Sequence, residues 1–207
     1  MLLILPSCTV PCSKMLLVLF IGMIASTFWF SSGYSEAAGQ ATDCKIVIFK
    51  EQRILELHQN GRIQQYRVCL GLNPTGPKQL TGDKKTPEGE YFICYKSAES
   101  NFHRFLGISY PGVDDAKSAF EKGIISLSKR DEIVTNSKER KAPPWNTELG
   151  GWVGIHGYPS DEYKRRWVAL FHPKPDDWTD GCIALWNFEI EQLFSRVSLG
   201  TPVVILP

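Results

Sequence analysis

The residue of this sequence best suited to covalent chemistry is a cysteine in a glycine-containing turn. Cys182 ends the segment Trp178-Thr179-Asp180-Gly181-Cys182. Gly181 lets the backbone turn tightly and leaves space for a substrate carbonyl beside the sulfur. A thiol is a nucleophile at neutral pH only with a neighbouring base or positive group. Cys182 is therefore the candidate nucleophile, and a buried, unreactive cysteine is the ordinary alternative.

The base that this cysteine needs must be one of four histidines: His58, His103, His156 and His172. His156 is the best placed by type, because it ends a short strand-like segment, residues 152–157, and is followed by a glycine. His172, ten residues before Cys182, is the rival base. Trp152 and Trp178 flank the two segments, where they could exclude water from the sulfur or simply pack in the core.

Cysteine spacing argues against a metal site. Cys8 and Cys12 precede the folded part, and the other four are Cys44, Cys69, Cys94 and Cys182. They form no CxxC pair and no Cys/His cluster with zinc spacing, so we predict no metal. Export would favour disulfides, but a buried thiol is equally compatible with a strand, and the pairing of Cys44, Cys69 and Cys94 stays open.

The elements that must position these residues are mostly strands. Asn60-Gly61 separates two alternating runs, which is the strongest short hairpin signal. The predicted strands are 45–50, 53–57, 63–70, 91–95, 152–157 and 203–206. The predicted helices are 114–123, 128–140, opened by a capping box at Ser128, and 187–197. These elements together predict a strand-rich domain with a few short helices.

The first residues differ in kind from the rest. Lys14 precedes sixteen uncharged residues, Met15 to Phe30, and small residues follow around Ser35-Glu36-Ala37. This is the pattern of a secretory signal peptide over residues 1–38, with an uncleaved membrane anchor as the alternative. Met1 and Met15 are both candidate starts. We expect an exported protein of the periplasm or cell envelope, whose catalytic domain spans 44–207.

The amino-acid composition limits the classes of protein to which this chain can belong. The chain has 207 residues, of which 43% are hydrophobic and 22% charged, as in an ordinary globular domain. Lys plus Arg number 23 and Asp plus Glu 22, giving a formal net charge of +1. Nucleic-acid binders are usually strongly basic, so we predict no nucleic-acid partner.

From Lys45 to Leu206 the sequence resembles the L,D-transpeptidase catalytic domain (the YkuD-type domain). Two half-motifs carry most of the resemblance, Ile155-His156-Gly157 and Thr179-Asp180-Gly181-Cys182. Further matching positions are Asn60-Gly61, Gly71, Gly82-Asp83, Thr86-Pro87-Glu88-Gly89 and Ile108-Ser109-Tyr110-Pro111. The resemblance implies a mostly β fold, with β-sandwich-like mixed sheets and short peripheral helices.

The resemblance also implies a role for each residue of the site. Cys182 would be the acyl-accepting nucleophile, and His156 its general base and later proton donor. The backbone carbonyl of Gly157 would orient the imidazole. The amides of Gly181 and Cys182 would help to form an oxyanion hole.

Three further residues are tentative substrate-binding candidates. His103 could line the site or be structural. Thr179 could act behind the site or simply form a turn. Arg165 could bind a substrate carboxylate or be a solvated loop charge. Asp180 and Ala184 depart from the family's common pattern, in which a second histidine and an Arg or Asn occupy these positions. They match the branch with a Thr-x-Gly-Cys-Ile-Ala motif.

The activity implied is cysteine acyl transfer without a cofactor. Cys182 would attack the amide beside meso-diaminopimelate in a peptidoglycan stem peptide, and an amine from a neighbouring stem or an envelope protein would resolve the thioester. One alternative is a hydrolase with the same site, either an L,D-carboxypeptidase or an amidase that releases wall-attached protein. The other is a non-catalytic peptidoglycan-binding module with a structural Cys182.

Overall fold

The structure, a computed structural model, describes residues 44–159 and 177–207. The predicted signal peptide or anchor, Arg165 and His172 lie outside the described residues. The described strands are β1 (Cys44–Phe49), β2 (Ile54–Gln59), β3 (Arg62–Arg67), β4 (Gly89–Ser100), β5 (His103–Ile108), β6 (Gly154–His156), β7 (Ile183–Ala184) and β8 (Pro202–Leu206). The described helices are α1 (Val113–Glu121), α2 (Leu127–Lys138) and α3 (Asn187–Arg196).

The eight described strands form one curled sheet in the order β3-β2-β1-β8-β4-β5-β6-β7. The pairs β1–β8 and β6–β7 are parallel, and the other pairs are antiparallel. The long strand β4 joins the two halves, since residues 89–92 pair with β8 and residues 93–100 pair with β5. The predicted mostly β fold with mixed sheets and short helices is confirmed.

The first hairpin forms as its sequence predicts. Asn60 and Gly61 have φ of 52° and 70°, the positive values that a type I′ turn requires at both central positions. Gln59 and Arg62 face each other across the strands, so the loop has two residues. The turn therefore sets the register of β2 on β3.

The middle of the chain differs from its prediction. Strand β4 extends to Ser100, well beyond the predicted 91–95, and β5 was not predicted. The end of β4 is polar and its pairing with β5 is irregular after Ile93 and again after Ser97. These irregularities break the alternation from which a strand is recognised. The end of β4 and β5 are extended because each pairs with a neighbouring strand, and these contacts are not visible in the local sequence.

Two of the three described helices begin and end close to their predicted limits, and one begins earlier. The cap of α2 is Ser126, whose hydroxyl accepts the backbone N–H of Lys129 at 3.2 Å. The predicted cap, Ser128, instead lies within the first turn. The prediction was wrong by two residues because Ser126 and Ser128 are equally good N-cap types. In the described ranges, no helix is long and apolar enough to cross a membrane.

The core lies against one face of the sheet. Aliphatic side chains from both halves are almost completely buried there, among them Ile46, Leu55, Leu106, Ile155 and Ile183. Helix α3 adds Ile190 and Leu193 on its inner side. Burying each such side chain stabilises the fold by roughly 1.5–3 kcal/mol. This packing fixes β6 and β7, which are too short to be stable alone.

Candidate active site

The register of β6 and β7 brings Cys182 and His156 onto one face of the sheet. His156 pairs with Ala184 and Ile155 with Ile183. One residue further back, a backbone hydrogen bond from Gly154 reaches the Cys182 sulfur. Neighbouring strands lie about 4.8 Å apart and rise about 3.3 Å per residue. The Cα atoms of Cys182 and His156 are therefore about 8 Å apart on a diagonal, within reach of the two side chains.

The imidazole of His156 is held in one tautomer. Its Nδ1 lies 2.7 Å from the carbonyl oxygen of Gly157. A carbonyl only accepts hydrogen bonds, so Nδ1 is the donor and Nε2 carries the lone pair. A Cβ at Gly157 would lie 2.5 Å from the Asn187 side-chain oxygen, which explains why a glycine occupies this position. The site thus contains a base whose free nitrogen is fixed by the backbone.

The turn that carries the nucleophile is organised by Thr179. The buried hydroxyl of Thr179 donates to the Cys182 carbonyl at 2.7 Å and accepts the Gly181 N–H at 3.1 Å. Gly181 has φ of 124°, and a Cβ there would lie 2.5 Å from the carbonyl oxygen of Lys85. Only glycine fits such a position. Thr179 therefore shapes the turn through both hydrogen bonds of its hydroxyl.

A long connection between β3 and β4, residues 71–88, wraps around this turn. Thr179 pairs with Gly71 in a short parallel bridge, and its carbonyl accepts the Leu72 N–H at 3.0 Å. Arg53 holds the carboxylate of Asp177 through two nitrogens, with a shortest distance of 2.6 Å. The turn is therefore fixed from two sides before any substrate binds.

The thiol of Cys182 is neutral at physiological pH. Its pKa is raised to about 11, chiefly by burial and also by the charge of Asp180, against the lowering effects of the Gly154 hydrogen bond and the charge of Lys78. The sulfur lies 3.6 Å from the carbonyl oxygen of Trp152, to which its hydrogen points. The residue remains partly exposed, so a substrate can reach it.

The base is neutral as well. His156 is only 3% exposed, and its burial lowers the imidazole pKa to about 4 against the opposing hydrogen bond to Gly157. The ring packs against Phe102 at 4.7 Å and Trp178 at 5.8 Å between centroids. The resting site is thus an uncharged thiol beside an uncharged imidazole, not an ion pair.

The other predicted site residues have different surroundings. His103 Nε2 donates to a carboxylate oxygen of Glu191 of α3 at 2.7 Å, so its side chain is engaged on the helix. Its neighbour Phe102, not predicted, packs its ring against His156, and its carbonyl accepts the N–H of the next residue, Gly157, at 2.9 Å. Arg165 lies outside the described residues. Because β5 was not predicted, nothing in the sequence indicated that Phe102, directly before β5, would lie beside His156.

The amide N–H of Gly181, which the resemblance placed in an oxyanion hole, is engaged within the turn by Thr179. Asp180 is exposed and pairs with Lys84 at 2.5 Å, which fixes its charge near the turn. Ala184 is fully buried, and its backbone exchanges hydrogen bonds of 2.9 and 2.8 Å with Cys69. A longer side chain at position 184 would have to fit among buried neighbours.

A buried lysine beside the turn is a site residue that the sequence did not indicate. Lys78 is 5% exposed, and its ammonium donates to Asp83 at 2.8 Å and to the Leu80 carbonyl at 2.9 Å. Its side chain comes within 4.0 Å of where a Gly181 Cβ would be. Lys78 is one of three lysines in a Gly/Pro/Lys-rich connection, and no local pattern distinguishes it from the other two.

This arrangement suits acyl transfer through sulfur. It contains a nucleophile, a base with a fixed tautomer and a partner that orients the base, which are the parts that such chemistry needs. In the described part of the chain, no group of three or more His, Cys, Asp or Glu side chains is arranged to hold a metal ion.

The chain is similar to known proteins over nearly all of its described length. Residues 45–205 match the model of the YkuD family, the L,D-transpeptidase catalytic domain. "Putative L,D-transpeptidase YafK" of Escherichia coli K12 is 30% identical over 129 residues, which are 58% of this chain and 50% of that protein. The chain spans about half the length of the curated relatives it matches.

Solved structures show the same fold. The helical cell shape determining protein Pgp2 of Campylobacter jejuni gives a TM-score of 0.50 at 22% identity, covering 79% of this chain and 47% of that one. Its K307A mutant gives 0.51 at 21% identity over the same shares.

Proposed function

The chain belongs to the L,D-transpeptidase catalytic domain family, and from that premise we propose that it is an exported enzyme of cell-wall remodelling. Cys182 forms a thioester with a peptidoglycan stem peptide that contains meso-diaminopimelate, and the acyl group then passes to an amine. The partners are peptidoglycan stem peptides and, as acceptor or substrate, an envelope protein. No cofactor takes part.

The observation that carries this proposal is the diagonal placement of Cys182 and His156 on one sheet face, with the imidazole tautomer fixed by Gly157. A structural cysteine needs no such base. The uncharged resting state also agrees with acyl transfer, because a neutral imidazole accepts a proton and a neutral thiol has one to give. Partial exposure of Cys182 supports the same role.

In the first step, the sulfur attacks the carbonyl carbon at the L-centre of meso-diaminopimelate as its proton moves to Nε2 of His156. The C–S bond forms, the amide C–N bond breaks, and the proton returns from His156 to the departing amine of the terminal D-residue. The imidazolium formed in passing is stabilised by the Gly157 carbonyl. Because the thiol pKa is far above that of the imidazole, the proton moves with the attack rather than before it.

The developing oxyanion needs hydrogen-bond donors. Since the Gly181 N–H bonds to Thr179, we assign this role to the Cys182 N–H, at the position where such turns direct an amide towards the substrate. Removing one oxyanion donor costs on the order of 10²–10³ in rate. Thr179 contributes by holding the turn in which this amide is presented.

Intact mass after incubation with a carbapenem tests the proposal. The strained ring of a carbapenem mimics the donor carbonyl, so we expect one covalent adduct on the wild type and none on Cys182→Ala. Absence of an adduct from wild type with a confirmed reduced thiol would contradict the proposal and favour a peptidoglycan-binding module.

The adduct assay does not distinguish a transferase from a hydrolase, because both form the same acyl-enzyme. A second measurement distinguishes them. A stem tetrapeptide with a terminal D-residue is incubated with and without an amine acceptor. Formation of the amide product supports the transferase. Release of the tripeptide alone, at all acceptor concentrations, supports an L,D-carboxypeptidase. Release of an attached protein from cell-wall sacculi supports an amidase.

A further inference from the structure

Trp152 lies beside the nucleophile in an unusual backbone conformation. Its φ is 56°, a left-handed value that is uncommon for a bulky side chain and costs about 1–3 kcal/mol. Such strain persists where the surrounding structure holds it, often at functional sites. Here it directs the Trp152 carbonyl towards the Cys182 sulfur, 3.6 Å away.

The ring of Trp152 is exposed on the same sheet face as the sulfur. It is 58% exposed and packs on Trp145 at 4.0 Å and on Tyr95 at 5.9 Å between centroids. We refer to these three rings as the aromatic platform. Tyr95 pairs with Gly107, and Gly107 pairs with Gly154, so the platform lies on the sheet face that carries Cys182, with the Phe105 ring packed over both glycines.

The Trp152 carbonyl changes its hydrogen bonding during the reaction. In the resting site it accepts the S–H of Cys182. Once the sulfur is acylated, that hydrogen is gone, and the oxygen becomes an acceptor adjacent to the thioester. A nucleophile with an N–H can then bind to it at the distance required to attack the carbonyl carbon.

We propose that Trp152 forms the acceptor subsite, with its carbonyl orienting the attacking nitrogen and the aromatic platform packing against the aliphatic stem of a primary alkylamine. This inference rests on the proposed function and names the acceptor class. Aromatic faces attract both CH₂ groups and ammonium ions, which an alkylamine offers and water does not.

The second step then balances as follows. The neutral amine donates one N–H to the Trp152 oxygen and attacks the thioester carbon. The C–N bond forms and the C–S bond breaks. The surplus proton on nitrogen passes to Nε2 of His156 and from there to the sulfur, so thioester plus amine gives amide plus thiol.

The test measures the ratio of transfer product to hydrolysis product, which does not depend on how fast the donor acylates Cys182. The donor is a stem tetrapeptide with meso-diaminopimelate and a terminal D-residue, and the acceptor is Nα-acetyl-lysine. We choose Trp152→Asn, because Asn tolerates a positive φ but has no aromatic ring. Trp152→Phe keeps a ring.

We expect Trp152→Asn to lower the ratio about tenfold, the loss of one aromatic contact, and Trp152→Phe to restore most of it. Trp186→Ala, which removes a ring that is 50% exposed outside the platform, is the matched control and keeps the wild-type ratio. An unchanged ratio in Trp152→Asn overturns the inference, as does a wild type that acylates but yields only hydrolysis. Failure of the donor to acylate wild-type Cys182 overturns the proposed function as well, so the two failures are distinguishable.

Discussion

The two halves of the sheet use the same strand geometry for different purposes. In the core half, β1, β2, β3 and β8, alternate positions bury Ile46, Ile48 and Leu57 against the core, and most of the polar residues lie on the other face. In the site half, β5, β6 and β7, the inner face is equally aliphatic, but the outer face has glycines and aromatic rings. A Cβ at Gly154 would lie 2.5 Å from the Phe105 ring. The difference teaches that the outer face of the site half is shaped for chemistry, while the core behind it stays ordinary.

Replacing a cysteine is expected to give the largest difference in activity between the site half and the rest of the sheet. Cys94, on the strand that joins them, resembles Cys182: its thiol points to a carbonyl at 3.5 Å, and burial raises its pKa to about 12. Only Cys182 has His156 on its diagonal. We expect Cys182→Ala to lower release of the terminal D-residue by about 10⁴-fold or more and Cys94→Ala to leave it nearly unchanged. A comparable loss in Cys94→Ala would show that the thiols are not distinguished by their neighbours.

Two glycines with positive φ extend the comparison to the backbone. Gly181 is confined by the Lys85 carbonyl at 2.5 Å, whereas a Cβ at Gly200, before β8, meets nothing within 4 Å. We expect Gly181→Ala to lower the free energy of unfolding by about 3 kcal/mol and activity about 10²-fold, since the turn must shift. Gly200→Ala costs about 1 kcal/mol from φ alone and spares activity. Chemical denaturation measures the free energy of unfolding, and release of the terminal D-residue measures activity. Equal losses in the two variants would contradict the explanation that the Lys85 carbonyl leaves no space for a Cβ at Gly181.

Two buried lysines provide a third comparison. Lys50 follows β1 and pairs with Glu88 at 2.6 Å, and Lys78 pairs with Asp83 beside the nucleophile turn. Replacing either by Met leaves a carboxylate without its partner, and we expect each change to destabilise the fold by about 3 kcal/mol. Only Lys78→Met should raise the pKa of the Cys182 thiol, because only this charge lowers it. The pH dependence of iodoacetamide alkylation, followed by peptide mass, checks this; the same shift in Lys50→Met would contradict it.

The sequence predicted most of the fold and pointed to the two residues that we propose to react, and the reasons are local. Asn60-Gly61 demands a specific turn, and a helix of period 3.6 is visible from Ile190 to Val197. Cys182 and His156 were identifiable because Ile155-His156-Gly157 and Thr179-Asp180-Gly181-Cys182 resemble the two half-motifs of the family. Each of these signals lies within about ten residues of chain.

The residues that the sequence did not indicate depend on non-local contacts. Phe102 reaches His156 only because β5 pairs with β6. Lys78 approaches the turn only because residues 71–88 wrap around it, 100 residues away in sequence. The predicted Gly181 amide donor illustrates the same limit, since its engagement by Thr179 depends on side-chain orientation and not on residue type.

The remaining effect, the smallest near neutral pH, is the contribution of His156 to the pH dependence of stability. Its pKa is about 4 when folded and 6.5 when free, so below pH 6.5 the unfolded chain binds a proton that the folded chain does not. Stability is therefore complete above pH 6.5 and falls as the pH decreases. The loss is about 1 kcal/mol at pH 5.5 and about 3 kcal/mol near pH 4.

Other groups titrate in this pH range, so the contribution of His156 must be measured as the difference in stability between wild type and a His156 variant. Asp115, whose burial raises its pKa to about 6, acts in the opposite direction, because the folded chain then takes up the proton first. We expect urea unfolding of wild type and His156→Gln, matched at pH 7.5, to diverge below pH 6.5, with the wild type losing stability faster. Parallel curves down to pH 4 would mean that His156 is readily protonated in the folded chain. That result would contradict our conclusion that Cys182 and His156 are both uncharged in the resting site.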